Sequence, residues 1–229
     1  YEYDLIQQME TAIKINEVKS DSDESEFNIG FYMQLAPKSI ADAIIRQVEL
    51  TRKRNHSNLD RYKVINVYQV ENYKERERFE KYSDLLISNS SNYKSSHKLD
   101  FKEVDLFHGS RNSNILSILM NGIYVPPTSA AHVTARMFGN GVYGADSSTK
   151  SLNYSMGNWG RGQANKNKSI FCFLMRFSLG RVYETGRSLS SGTPSGYNSI
   201  YAPGGYDLIN NEYIVPKPEQ TTMNYLIEF

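Results

Sequence analysis

Three stretches of the chain bring ligand-binding residue types to the ends of short apolar runs. Asp105-Leu-Phe-His-Gly-Ser-Arg-Asn-Ser-Asn114 reads as a strand whose exit carries His108 and Gly109. Residues 138–154 read as a tight glycine turn, a brief strand around Tyr143 and a helix opening at Asp146. Asn210-Asn-Glu-Tyr-Ile-Val215 then puts the carboxylate of Glu212 at the head of a late strand. Loop-terminated strands that present His, Gly, Ser and Tyr point to a pocket for a flat polar ligand.

Two formal motif matches carry no chemistry. Gly139-Asn-Gly-Val-Tyr-Gly144 fits G-x-G-x-x-G, but Val142-Tyr143 suits a strand rather than a helix start. These glycines instead serve a sharp turn and a close backbone approach. Ser147-Ser-Thr-Lys150 fits S-x-x-K, yet neither companion motif of the penicillin-recognising enzymes is present. Cys172 lies in the apolar run Ile170-Phe-Cys-Phe-Leu-Met175 and reads as a buried structural thiol. As the single cysteine it excludes an intramolecular disulfide and a cysteine-rich zinc site.

The elements that must position these residues follow from periodicity. Leu5, Ile6, Met9, Ala12 and Ile13 space one amphipathic helix within residues 1–18, and an acidic linker covers 19–30. A catalytic-sized unit, 31–229, follows. Within it a helix starts at Pro37-Lys-Ser39 and runs into Arg52-Lys-Arg54, and a largely buried strand spans 62–70. A helix over 74–87 sets Phe79, Tyr82 and Leu86 on one face, and a further short helix over 114–120 stops at Asn121-Gly122. Ser169–Leu179 is a core strand, 186–206 an irregular excursion, and strands at 211–215 and 224–229 close the chain. Helices early, strands late and no β–α alternation predict an α+β domain with mainly antiparallel sheets.

A length of 229 residues allows one domain with a substantial core. A net charge of +1 argues against direct nucleic-acid binding by this stretch. No apolar run approaches a membrane span and no signal-peptide pattern opens the chain, so an intracellular setting, nucleus or cytoplasm, is expected. Tyr1 in place of Met points to a piece of a longer chain.

In combination, His108-Gly109-Ser110-Arg111, Phe138-Gly-x-Gly-Val-Tyr143-x-Ala-Asp146, Lys150-Ser151-Leu-Asn-Tyr154 and Asn211-Glu212-Tyr213 resemble the poly(ADP-ribose) polymerase catalytic domain, the H-Y-E branch of the ADP-ribosyltransferases. Over Arg61–Val70 and Arg76–Phe79 the chain looks most like tankyrase, without its zinc cluster. The resemblance implies the ADP-ribosyltransferase fold: split, mainly antiparallel sheets around an NAD⁺ cleft, with short flanking helices. It implies NAD⁺ as substrate, no metal, and protein acceptors that include the chain itself. It implies a triad of His108, Tyr143 and Glu212. His108 would bind the adenine-side ribose, and the Gly109 backbone and the Ser151 hydroxyl would hold the nicotinamide amide. Tyr154 and Tyr143 would wall the ring, and Glu212 would bind the nicotinamide-ribose 2′-hydroxyl. Ser110 and Arg111 would contact the ligand, with a helix cap as the alternative for Ser110, and Asn114 would contact the adenosine part. Lys150 would orient an acceptor, neutralise Glu212, or stand in solvent. His56, His97 and His132 are expected at the surface. Gly144 stands where the family commonly has a large aromatic, which predicts looser packing there.

Overall fold

The computed structural model describes residues 30–53, 59, 61–125, 136–156 and 169–229. The expected N-terminal helix, nearly all of the acidic linker, Arg54, His56, His132 and the loop at 157–168 lie outside the described residues.

Two sheets form the body. The larger has strand order β1-β2-β9-β5-β3, built from β1 (Tyr32–Leu35), β2 (Asn66–Glu71), β9 (Thr221–Glu228), β5 (Phe171–Ser178) and β3 (Glu103–Gly109). All its pairings are antiparallel. The smaller has order β4-β8-β7-β6, from β4 (Val142–Gly144), β8 (Glu212–Val215), β7 (Ser199–Ala202) and β6 (Val182–Glu184). Its β6–β7 pair is parallel. This is the α+β architecture with split, mainly antiparallel sheets that the sequence implies.

The apolar run at β5 has no alternation because both of its faces are buried. Phe171, Phe173, Met175 and Phe177 face one core, shared with Leu106, Ile115, Leu119 and Val215. Cys172 and Leu174 face a second core with Ile44 and Val48 of α1 (Lys38–Leu50) and Leu152 of α4 (Ser148–Ser155). Cys172 is buried and free, as expected, and burial raises its thiol pKa out of the reactive range. Among the described residues no helix is long and apolar enough to cross a membrane.

One buried amide joins two helices. Asn72 Oδ1 accepts the Glu75 N–H at the start of α2 (Tyr73–Ser88), while its Nδ2 donates to the Leu119 and Met120 carbonyls that end α3 (Asn112–Asn121). Gly122 terminates α3 with φ 78°, the expected left-handed stop.

Several expectations change. β2 begins at Asn66 rather than 62: Asn66 is the first residue in register with β9, opposite Glu228, and just before it the Ile65 N–H donates to the Glu228 carbonyl at 2.7 Å. α1 ends at Leu50, before the basic run, with the Thr51 hydroxyl donating to the Gln47 carbonyl. The excursion at 186–206 contains β7, four residues whose alternation is too short to stand out. Gly144 packs tightly: a Cβ there would lie 2.7 Å from Phe177 Cζ and 3.0 Å from Leu106 Cβ. The small residue lets β4 press against the larger sheet. His97 is no free surface residue, since its Nε2 meets Glu184 Oε2 at 2.8 Å and its ring lies 5.8 Å from that of Tyr201.

Candidate active site

The two sheets meet where β3 is tied to the residue after β4. The Phe107 N–H donates to the Ala145 carbonyl at 2.9 Å, and the Ala145 N–H returns to Phe107 at 3.0 Å. Backbone groups alternate along a strand, so the N–H and C=O of Gly109 point to the same edge as those of Phe107. There β4 no longer covers them, and Gly109 lines a cavity of about 450 Å³. Gly109 is required for packing as well: a Cβ on it would fall 1.8 Å from the Ser151 carbonyl oxygen of α4. The glycine therefore lets the helix lie against the strand end, and the close approach expected toward a ligand is equally an approach of backbone to backbone.

His108 lines the same cavity, and its Nδ1 lies 2.8 Å from the Tyr143 carbonyl oxygen. A carbonyl only accepts, so Nδ1 carries the hydrogen and Nε2 keeps a lone pair. Burial lowers the histidine pKa, against the opposing pull of that carbonyl, which favours the neutral ring. The Tyr143 hydroxyl donates to the Gly139 carbonyl at 2.7 Å and accepts the Phe138 N–H at 3.1 Å. The phenol thus locks the glycine turn that precedes its own strand. Gly139 has φ 77°, and a Cβ there would meet Gly192 Cα at 2.4 Å, so this turn admits no larger residue.

Helix α4 faces the cavity with Lys150, Ser151 and Tyr154. Ser147 caps it, its hydroxyl accepting the Lys150 N–H at 3.4 Å, which is the structural use of the S-x-x-K match. The Ser151 hydroxyl donates to the Phe107 carbonyl at 2.9 Å and keeps lone pairs for a second partner. Tyr154 is pushed up to about 12, first by burial and then by the negative charge of Glu212.

Glu212 is 5% exposed at the head of β8, and its Oε1 lies 2.8 Å from Lys150 Nζ. The ammonium also donates to the Asn210 carbonyl at 3.1 Å. Of the roles open to Lys150, solvation is excluded and neutralisation of Glu212 is observed. Burial lowers the lysine pKa and the carboxylate opposes it. Asp146 fixes the approach to β8: its Oδ2 accepts from Asn211 Nδ2 at 2.6 Å, while Asn211 Oδ1 accepts the Gly204 N–H at 2.9 Å.

The cavity gathers His108, Gly109, Ser110, Asn114, Tyr143, Lys150, Ser151, Tyr154 and Glu212. Arg111 is not brought in: it occupies the N-cap position of α3 with its side chain exposed. Ser110 makes no cap bond to that helix, and its Oγ accepts from Asn114 Nδ2 at 3.1 Å. Sequence reasoning missed Ser117, Ile118, Tyr124 and Arg136, which also line the cavity. Ser117 and Ile118 were findable, because they follow Asn114 at helical spacing on one face of α3. Arg136 stands in a stretch with no periodicity and left no such signal.

A family model for the poly(ADP-ribose) polymerase catalytic domain matches residues 41–207. The chain belongs to this family. Its α+β body is accordingly the ADP-ribosyltransferase fold. The matched segment holds His108 and Tyr143 but ends short of Glu212, whose place beside Lys150 comes from the structure. Among curated relatives, "Putative poly [ADP-ribose] polymerase-like 100L" of Invertebrate iridescent virus 6 is 28% identical over 173 residues, covering 72% of this chain and 85% of the viral protein. Human "Poly [ADP-ribose] polymerase 2" is 31% identical over 156 residues, covering 54% of this chain and 26% of that protein. The Drosophila melanogaster "Poly [ADP-ribose] polymerase" is 25% identical over 261 residues, covering 97% of this chain and 24% of its own length. The chain thus spans most of the viral relative and about a quarter of the human and fly proteins.

Proposed function

We propose that this catalytic domain cleaves NAD⁺ at the nicotinamide–ribose bond and transfers ADP-ribose to protein side chains, its own included. The buried Lys150–Glu212 pair carries the reading, because it sets an anionic carboxylate against the cavity that also holds His108, Tyr143, Ser151 and Tyr154. In this reading the N–H and C=O of Gly109 pair with the carboxamide, and Ser151 adds a further bond to it. Tyr143 and Tyr154 hold the ring flat. His108 accepts a ribose hydroxyl at Nε2.

The bond between C1′ and the pyridinium nitrogen breaks with its electron pair going to nicotinamide, which leaves neutral. Positive charge grows on the ribose. Glu212 accepts a hydrogen bond from the 2′-hydroxyl and stabilises that charge. The acceptor oxygen or nitrogen then bonds to C1′ and gives up its proton, if it carries one, to solvent or to Glu212. Lys150 holds the Glu212 carboxylate in place through their 2.8 Å ion pair. An intracellular setting accords with this use of NAD⁺ and with a free thiol at Cys172.

Incubation with labelled NAD⁺, native chain against Glu212→Gln on a denaturing gel, tests the reading. The native chain should label itself, and the variant should fall by about 10²- to 10³-fold. A high-mass smear lost in the variant means that the chain extends poly(ADP-ribose), and one discrete band means transfer of single units. A native chain that neither binds NAD⁺ nor releases nicotinamide would sink the proposal.

A further inference from the structure

We infer that Asp146 is a positioning residue for the transfer reaction, acting through the side-chain amide of Asn211 to hold the peptide that carries Glu212. The inference rests on the NAD⁺ reading above and concerns two residues outside the cavity lining.

Glu212 needs such support because of where it stands. Toward β7 it lies opposite Ala202, but toward β4 the register begins only at Tyr213, opposite Gly144. The chain before it, residues 203–211, is an irregular connector from β7. Tyr206 and Ile209 of that connector are exposed, while Leu208 reaches the small buried cluster. Burial therefore does little to fix the end next to Glu212. Asn211 does so with both ends of its amide. Its Oδ1 accepts the Gly204 N–H at 2.9 Å, and its Nδ2 donates to Asp146 Oδ2 at 2.6 Å. The neck closed in this way is narrow: a Cβ on Gly204 would fall 2.5 Å from the Ile209 carbonyl oxygen. The Tyr213 hydroxyl donates to the same Asp146 oxygen at a longer 3.5 Å. One carboxylate oxygen thus holds the residues on both sides of Glu212.

Lys150 alone does not supply this. Its ammonium meets Glu212 Oε1 at 2.8 Å and the Asn210 carbonyl at 3.1 Å, but from the end of a flexible four-carbon stem. That stem lets the ion pair shift as a unit. The side chains of Asp146 and Asn211 are short, so the bond between them ties one stretch of main chain to another. Asp146 directly precedes Ser147, the N-cap of α4. The tie therefore refers Glu212 to the helix that presents Ser151 and Tyr154 to the cavity. Such precision matters to rate, because a displacement of about 1 Å at a reacting group can cost about 10²-fold.

The test exchanges the two partners. For the 229-residue chain, Asn211→Asp, Asp146→Asn and the double variant D146N/N211D, kcat and the KM for NAD⁺ would be measured. Asn211→Asp sets two carboxylates against each other and should lower kcat by about 10- to 100-fold, while KM moves by less than about three-fold. Asp146→Asn keeps a neutral acceptor and should lose less. The double variant restores an amide facing a carboxylate, and its carboxylate at position 211 can still accept the Gly204 N–H. Its kcat should return to within about three-fold of the native value. Asp207→Ala releases the Ser188 N–H elsewhere in the same connector and should change kcat by less than about two-fold. If Asn211→Asp does not fold, Asp146→Ala carries the same test, with kcat lost at constant KM. A kcat that holds in these variants, a loss that the double variant does not recover, or an equal loss in Asp207→Ala would overturn the assignment. So would a KM that rises as far as kcat falls. A native chain that turns over NAD⁺ no faster than its variants overturns this inference alone; a native chain that does not turn over NAD⁺ overturns the functional reading with it.

Discussion

The two sheets hold their shape by different means. In the larger one, β5 and β9 are eight residues each and β3 is seven, and the strands are clad in Phe, Leu, Ile and Met on both faces. In the smaller one no strand exceeds four residues, and its own buried cluster is Phe138, Ile200, Ala202 and Ile214. Val142, Val182, Tyr213 and Val215 on its strands also join the core of the larger sheet, and polar ties complete its geometry: Asp146 to Asn211, Lys150 to Glu212 and Asn210, Tyr143 to the glycine turn, and Asn198 Oδ1 to the Arg181 N–H. The long sheet delivers His108 and Gly109 on a strand set by hydrophobic burial. The short sheet delivers Tyr143 and Glu212 on strands that depend on side chains for their place. Groups proposed to do chemistry also act as structural ties here, so changing them should disturb both.

The largest break in this contrast should come from Lys150→Met. It leaves the Glu212 carboxylate buried and unpaired, which should cost about 3–5 kcal/mol in urea denaturation. Adding Glu212→Gln should return most of that loss. Hydrogen exchange should quicken at Tyr213 and Ile214 of β8 while Leu226 and Ile227 of β9 keep their protection. Equal loss in both would mean that the sheets open as one unit, and the contrast would fail.

A smaller effect tests their contact. Gly144→Ala puts a methyl group against Phe177 and Leu106, an overpacking cost of about 1–3 kcal/mol. On a Phe177→Leu background the same change should cost less, because the ring atom it strikes is gone. Equal costs in both backgrounds, read from denaturation midpoints, would place the strain elsewhere.

The smallest effect is a pH slope confined to the larger sheet. Glu75 of α2 is 4% exposed, and its Oε2 accepts the Met223 N–H of β9 at 3.0 Å. Burial raises its pKa from 4.5 to about 7. The unfolded chain loses this proton near the ordinary value, whereas the folded chain keeps it until about 7. Between those values the folded state binds more protons, so this contribution is full below the lower pKa and declines as pH rises. The slope cannot exceed about 1.4 kcal/mol per pH unit for one proton. Glu75→Gln should flatten Tm against pH across that window, and a slope unchanged in the variant would assign it to other groups.

The same contrast explains how much could be read from the chain. The long apolar run at β5, the helices α2 and α3 and the stop at Gly122 all stood out, because burial and capping repeat a local pattern over many residues. β1 and β7 did not. Each has four residues, and each becomes a strand only because a neighbour from elsewhere in the chain offers it a ladder: β2 for β1, and β6 and β8 for β7. The site divides in the same way. His108, Gly109, Tyr143, Ser151, Tyr154 and Glu212 could be named because the motifs that hold them together resemble one family. Arg111 was named with them, yet the turn into α3 leaves its side chain outside.

By itself the sequence determined the residue types of the pocket, the buried strands and the α+β class, since these depend on composition and short-range period. Tertiary structure alone decided that Lys150 pairs with Glu212 across sixty-two positions of chain, that the smallness of Gly109 and Gly144 serves packing between elements, and that Arg136 joins the cavity. Those are meetings between segments far apart in sequence. No local period encodes them, and they exist only once the two sheets are brought edge to edge at Phe107 and Ala145.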